Sequence, residues 1–176
     1  RCQIKNKELQ VSGEMYKVLI LPAMAAVRYS TIQRALAFYR AGGTVIAVAG
    51  LPEASDRIGG NDPQLQAMIR EMFGVTVRDS IDAGKTYTQK NKAGGLGLFI
   101  PNLKDVAQAI GQYFVPDFKI NGSQLASNIM HRKVGERELD FVYGVPNGTS
   151  CFVRTTGKVE LWNPWDGSTA PLRATE

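Results

Sequence analysis

The feature that most constrains this chain is a pair of short, almost wholly apolar runs, Tyr16-Lys-Val-Leu-Ile-Leu-Pro22 and Thr44-Val-Ile-Ala-Val48, with helical periodicity between them. A strand buried on both faces shows no alternation, and a short run closed by a turn residue fits such a strand. Parallel neighbours need a crossover. The intervening residues supply one: Ile32, Ala35, Leu36 and Tyr39 recur at helical spacing. Ser30 with Gln33 reads as a capping box at the start of this helix, and Gly42-Gly43 as its stop.

The pattern then repeats. Asp62 is placed to cap a second helix with Pro63 at its first position, and Gly74 to end it. Its apolar stripe is Leu65, Met68, Ile69, Met72 and Phe73. Val75-Thr-Val77 and Gly97-Leu-Phe-Ile100 are further strand candidates, and Asn102 and Asp105 open a third helix carrying Leu103, Val106, Ala107, Ile110 and Phe114. Lys5 to Gly13 reads as an extended lead-in, and the polar stretch Asp79 to Gly95 as a long loop or an edge hairpin. The order of elements predicts an α/β fold: an open, mainly parallel flavodoxin-like or amidotransferase-like sheet with helices on both faces.

After Pro116 the helical period stops. Short strand-like runs follow at 128–134, 139–145, 151–155 and 159–162, separated by Gly135-Glu136, Pro146-Asn147-Gly148 and Thr156-Gly157. They predict an antiparallel meander. The change of pattern falls within 116–127, which gives an α/β domain over 1–120 and an antiparallel β-rich segment over 121–176.

Composition serves mainly to exclude. Hydrophobic residues make up 44% of the 176 and charged residues 21%, a balance that builds a packed core. The net charge of +5 comes from Lys and Arg spread along the chain. With no basic run and no interleaved stacking aromatics, no nucleic-acid partner is expected. No apolar run approaches the roughly 20 residues that span a bilayer, so no membrane partner is expected either. Cys2 and Cys151 lie at opposite ends; two free thiols is the simpler reading, and one disulfide the other. Two Cys and the single His131 fall short of a four-ligand zinc site.

The search for chemistry yields no catalytic, cofactor-binding or metal-ligating set. The first strand ends in Leu21-Pro22-Ala23-Met24, without the glycines that let a pyrophosphate approach the backbone. Ala41-Gly-Gly-Thr44 and Gly94-Gly-Leu-Gly97 stand before strands and read as turns. An amidotransferase needs a cysteine on a strand-to-helix elbow; Cys151 falls inside a predicted strand, and Cys2 precedes every element. No G-x-S-x-G occurs. A glycosidase needs two carboxyl groups about 5–10 Å apart across a sugar. Most of the acidic residues fall on helix faces or at caps (Asp62, Asp105), where solvation or capping accounts for them; Glu136, Glu138 and Asp140 cluster, and solvation of a turn and strand edge accounts for these.

The closing stretch Glu160-Leu-Trp-Asn-Pro-Trp-Asp-Gly167 concentrates both tryptophans of the chain. An indole face can stack on a pyranose, which makes Trp162 and Trp165 candidate sugar contacts. The structural reading, favoured here, has one ring packed between sheets and the other covering the turn.

Taken in order, Tyr16 to Pro22, Ala41-Gly-Gly-Thr44 with Leu51-Pro52, His131-Arg132, and Glu160 to Gly167 resemble successive landmarks of large bacterial glycoside hydrolases of the α-L-rhamnosidase type, family 106-like. The resemblance implies an amidotransferase-like accessory domain, followed by the start of a β-sandwich region, in a periplasmic or secreted parent. It implies that the partners are the parent's remaining domains, a catalytic barrel and β-sandwiches, with carbohydrate a further candidate, and that the catalytic acids lie in the barrel. It matches Trp162, Pro164 and Gly167 to a closing Trp-x-Pro-x-x-Gly, and Phe141 to Asn147 to an aromatic strand ending in Asn, here with extra residues before that Asn. His131 and Arg132 become candidate domain-junction residues. A stand-alone flavodoxin-like binding module and a carbohydrate-binding module are the alternatives.

Overall fold

The computed structural model describes residues 2–121, 128–146 and 148–172. It begins with an antiparallel meander, β1 (Gln3–Lys5), β2 (Glu8–Val11) and β3 (Glu14–Tyr16), where the sequence suggested only a lead-in. Each turn has two residues at positive φ, Asn6 and Lys7 (52° and 65°), then Ser12 and Gly13 (51° and 93°). That is the requirement of type I′ turns, whose twist matches that of a hairpin.

The following elements are β4 (Val18–Leu21), β5 (Ala26–Val27), α1 (Tyr29–Arg40), β6 (Thr44–Val48), β7 (Ala54–Ser55), β8 (Gly59–Gly60), α2 (Pro63–Phe73), β9 (Tyr87–Lys90), β10 (Leu96–Ile100) and α3 (Val106–Gly111). A four-stranded mixed sheet has the order β4-β6-β10-β9, with β4, β6 and β10 parallel and β9 antiparallel along the edge. Side chains alternate across it. Val45, Ala47 and Phe99 pack with α1 and α2; Ile46, Leu98 and Ile100 pack on the other side with Val106, Ala109 and Ile110 of α3. The approach of α2 is close: a Cβ at Gly97 of β10 would lie 1.7 Å from the Met72 carbonyl oxygen.

Helix ends follow local chemistry in α2 and distant chemistry in α1. Asp62 caps α2 through the N–H groups of Gln64 and Leu65, and Gly74 closes it at φ 76°. The Ser30 capping box does not form. Helix α1 starts two residues earlier, with Arg28 as an N-cap that makes no side-chain cap bond, and the Tyr29 N–H is accepted by Asp56 Oδ1 at 2.8 Å. Val75 to Val77 is not a strand. Asp79 Oδ2 accepts from the N–H of Thr76 (2.6 Å) and from its hydroxyl (3.0 Å), folding the segment into a turn. The third helix stops at Gly111, short of Phe114.

The chain divides into two units, Arg1–Tyr113 and Phe114–Glu176. The second contains β11 (Phe118–Ile120), β12 (Asn128–Val134), β13 (Arg137–Tyr143), β14 (Cys151–Val153), β15 (Glu160–Trp162) and β16 (Thr169–Pro171). They do not form one meander. They pair as three two-stranded antiparallel sheets, β11–β14, β12–β13 and β15–β16. Asp117 and Arg154 flank the first as an ion pair. No described residue of this unit is buried.

The expectation of an open, mainly parallel flavodoxin-like sheet is therefore overturned. Parallel pairing is confined to β4, β6 and β10 in one mixed sheet and the two-residue pair β5–β7 in another, among six mostly small antiparallel or mixed sheets, with three α-helices among the described residues. The reason lies in the crossovers. A parallel sheet grows only while each strand is followed by a covering segment that returns the chain. Residues 3–16 instead pair among themselves, β9 closes one edge in the antiparallel sense, and after the six-residue α3 no helix follows among the described residues.

Candidate functional site

In open α/β sheets, ligands bind outside the carboxyl ends of the strands. Here the segments leaving β4 and β6 build the small sheet β5-β7-β8, and the polar groups beside it are turned on one another. Asp62, fully buried, accepts from Ser55 Oγ (2.6 Å) on Oδ2, and from Arg57 Nη2 (2.8 Å) and the N–H groups of Gln64 (3.0 Å) and Leu65 (3.2 Å) on Oδ1. The Arg57 guanidinium lies over the Tyr29 ring at 4.1 Å, and both Arg57 and the Tyr29 hydroxyl donate to Gln64 Oε1 (2.6 and 2.7 Å). Burial would push the Asp62 carboxyl up, but the bonds from Ser55, Leu65, Arg57 and Gln64 outweigh it and hold the group below the usual carboxylate range. A carboxylate so committed is a strut tying the entries of α1 and α2, not a proton donor. Sequence reasoning found Asp62 only as a cap; its partners Ser55 and Arg57 carry no local signal.

Two other perturbed carboxylates in this unit are also structural. Arg40 forms a two-pronged pair with Glu71 (2.7 and 2.6 Å) across α1 and α2, and its hydrogen bond holds Glu71 below the usual range. Asp79 is held low by the Thr76 N–H first and by Arg70 second. Depressions lined by Cys2, Gln3, Ile4 and Arg34, and by Ser30, Gln33, Arg34 and Ala37, contain no carboxylate. Both cysteines are free, Cys2 half-buried and Cys151 exposed. Among the described residues, no three His, Cys, Asp or Glu side chains converge as a metal site would require.

In the second unit His131 and Arg132 are neighbours on β12, both exposed, and so point to opposite faces of the β12–β13 hairpin. His131 registers opposite Asp140, and Arg132 opposite Leu139. The His131 face also carries Ile129, Lys133, Glu138 and Val142. There Asp140 Oδ1 is one of two buried side-chain polar atoms without a hydrogen-bond partner among the described residues, the other being Gln66 Oε1. The Arg132 face carries Met130, Val134, Leu139, Phe141 and Tyr143, all large and exposed, together with Asn128 and Arg137. The expected aromatic strand is thus β13, while Asn147, and residues 122–127 of the change in pattern, lie outside the described residues.

Trp162 ends β15 at 50% exposure, and Trp165 stands in the turn to β16 at 94%. Neither is packed between sheets. The turn is heavily tied: Asn163 Oδ1 accepts from the Trp165 N–H (3.0 Å), Asn163 Nδ2 donates to Asp166 Oδ2 (3.0 Å), and Asp166 Oδ1 accepts from the Ser168 N–H (2.8 Å). Backbone bonds Asn163 N–H to Ser168 O and Gly167 N–H to Asn163 O, both 2.9 Å, complete it. Trp162 Nε1 donates to Glu160 Oε2 at 3.4 Å.

No family model matches the chain, and neither does any curated protein. Two solved structures share its fold. The rhamnosidase from Novosphingobium sp. PP1Y matches over 97% of this chain and 16% of its own, with a TM-score of 0.63 and 18% identity. The GH42 β-galactosidase Gan42B matches over 89% of this chain and 30% of its own, with a TM-score of 0.54 and 15% identity. At these identities the likeness is one of fold alone: the chain has a glycoside hydrolase-like fold and spans less than a third of either relative. The rhamnosidase-type resemblance is supported to that coarser level, and the amidotransferase-like assignment is not.

Proposed function

We propose that this chain is a non-catalytic accessory part of a larger glycoside hydrolase, whose sugar-cleaving residues lie in other domains. The observation that carries the reading is the match of nearly the whole chain to 16% of a rhamnosidase and 30% of a β-galactosidase. Two features of the chain support it. The carboxylates with perturbed titration in the first unit, Asp62, Glu71 and Asp79, are tied to internal partners. The second unit exposes a row of large apolar side chains that a water-facing surface does not need. On this reading the partners are the remaining domains of a periplasmic or secreted enzyme, and His131 and Arg132 belong to a junction between domains.

The test is an activity assay on the purified chain. Aryl α-L-rhamnosides and aryl β-D-galactosides should be released no faster than in a blank. Turnover that vanished on replacing one acidic residue would overturn the proposal.

A further inference from the structure

We propose that the tip of the β15–β16 hairpin is a saccharide-contacting platform, with the Trp165 indole as its stacking surface. The choice of ligand rests on the glycoside hydrolase reading above, which it deepens.

The argument starts from exposure. A ring left at 94% exposure gives up the burial that normally accounts for a tryptophan. Nor is it a ring on a slack loop. Three hydrogen bonds involving the Asn163 and Asp166 side chains and two backbone bonds fix the turn that carries it. Binding to a fixed turn spends little on ordering.

The surroundings then select the partner. A protein hot spot is ringed by groups that exclude water. Around Trp165 the turn presents Asn163, Asp166, Ser168 and Thr169, all exposed and polar, beside exposed Pro164 and half-exposed Trp162. Hydrogen bonds from Ser168 hold the Asp166 carboxyl below its ordinary range, so it is a charged acceptor at neutral pH. A pyranose has the complementary form: an apolar C–H face the size of an indole, with a rim of hydroxyl donors. Trp162, half-exposed and steadied by Glu160, borders the same turn.

Trp162 and Trp165 are the chain's two tryptophans, so intrinsic fluorescence reads this hairpin without interference. The full chain is titrated with α-L-rhamnosyl and β-D-galactosyl oligosaccharides up to about 20 mM, a range suited to millimolar affinity. We expect saturable quenching or a blue shift of emission. Trp165→Ala should weaken binding about tenfold or more, read by indole and amide NMR shifts, while Trp162→Phe keeps the fluorescence response. A far-UV spectrum checks that each variant is folded. Unchanged emission and NMR spectra with every sugar would overturn the platform, as would equal affinity in Trp165→Ala. Because the readout is binding and not turnover, this result and that of the activity assay are independent.

Discussion

Ser55 donates its hydroxyl to Asp62 Oδ2 across 2.6 Å, and both side chains are buried. The bond joins β7 to the first turn of α2, and through Arg57 the same carboxylate is linked to the Tyr29 ring of α1. The polar end of the first unit is thus organised around one negative charge.

That charge sets a pH dependence. The Asp62 carboxyl is held below its unfolded value, and so are Glu71 and Asp79. In such a case the unfolded chain takes up protons first, so the stabilisation is whole above the ordinary carboxylate range near pH 4. It drains away as pH falls through the lower folded values. Thermal melts between about pH 6 and pH 2 should show Tm falling steeply below about pH 4. Asp62→Asn should flatten that slope, and Asp62→Ala, which also loses the cap, should lower Tm at neutral pH by about 5–10 °C. A slope identical in wild type and Asp62→Asn would show that other groups set it.

Gly97 and Gly111 make opposite predictions for the same substitution. A methyl at Gly97 collides with the backbone carbonyl of Met72, which cannot turn aside as a side chain could. Gly97→Ala should cost about 3 kcal/mol, at the upper end for overpacking. At Gly111, the last residue of α3, nothing lies within 4 Å of the added carbon. Gly111→Ala should stabilise by up to about 1 kcal/mol. Urea denaturation of the two variants measures both.

The units should respond differently to loss of an aromatic ring. Phe99 is 1% exposed between sheet and helices and stacks on Tyr87 at 6.0 Å. Phe99→Ala should cost about 3–5 kcal/mol. Phe141 is 54% exposed, and Phe141→Ala should fall within about 0.5 kcal/mol. A comparable cost at Phe141 in the isolated chain would mean that the second unit has a core.

Arg132 tests the junction. Among the described residues it makes no ion pair or side-chain hydrogen bond, and most exposed charges contribute little. Arg132→Ala should leave the Tm of this chain within about 1 °C. In the full-length parent it should increase cleavage between domains under limited proteolysis. An unchanged digestion pattern there would remove the residue from any junction.

Much of the first unit was legible because its signals are local. Asp62-Pro63, the stripe from Leu65 to Phe73 and Gly74 lie within one helix length, and the helix forms as they specify. The runs at 44–48 and 96–100 are strands because continuous apolar sequence is stable only when both faces are covered; 18–21 is a strand as well, but on the sheet edge, with Ile20 52% exposed. The β1–β3 meander carries a weaker local signal: Glu8 to Val11 alternates and Ser12-Gly13 takes the left-handed turn, but the strand is only four residues long and stands beside the stronger run that follows. For the hairpin tip, sequence supplied the two indoles but assigned them to packing.

By itself, then, the sequence determined α2 from cap to stop and the placing of the buried strands β6 and β10, since caps, periodicity and turn conformers act over a few residues. Tertiary structure decided the rest. Asp56 takes the α1 entry from 27 residues away, over the Ser30 box beside it. Strand β11 finds β14 across more than thirty residues, and the late strands pair in twos instead of one meander. Whether an indole is covered or bare depends on which surfaces reach it, and Trp165 stays bare. Pairing and burial are chosen by surfaces that meet only after the chain has folded, so they leave no mark at the residues concerned.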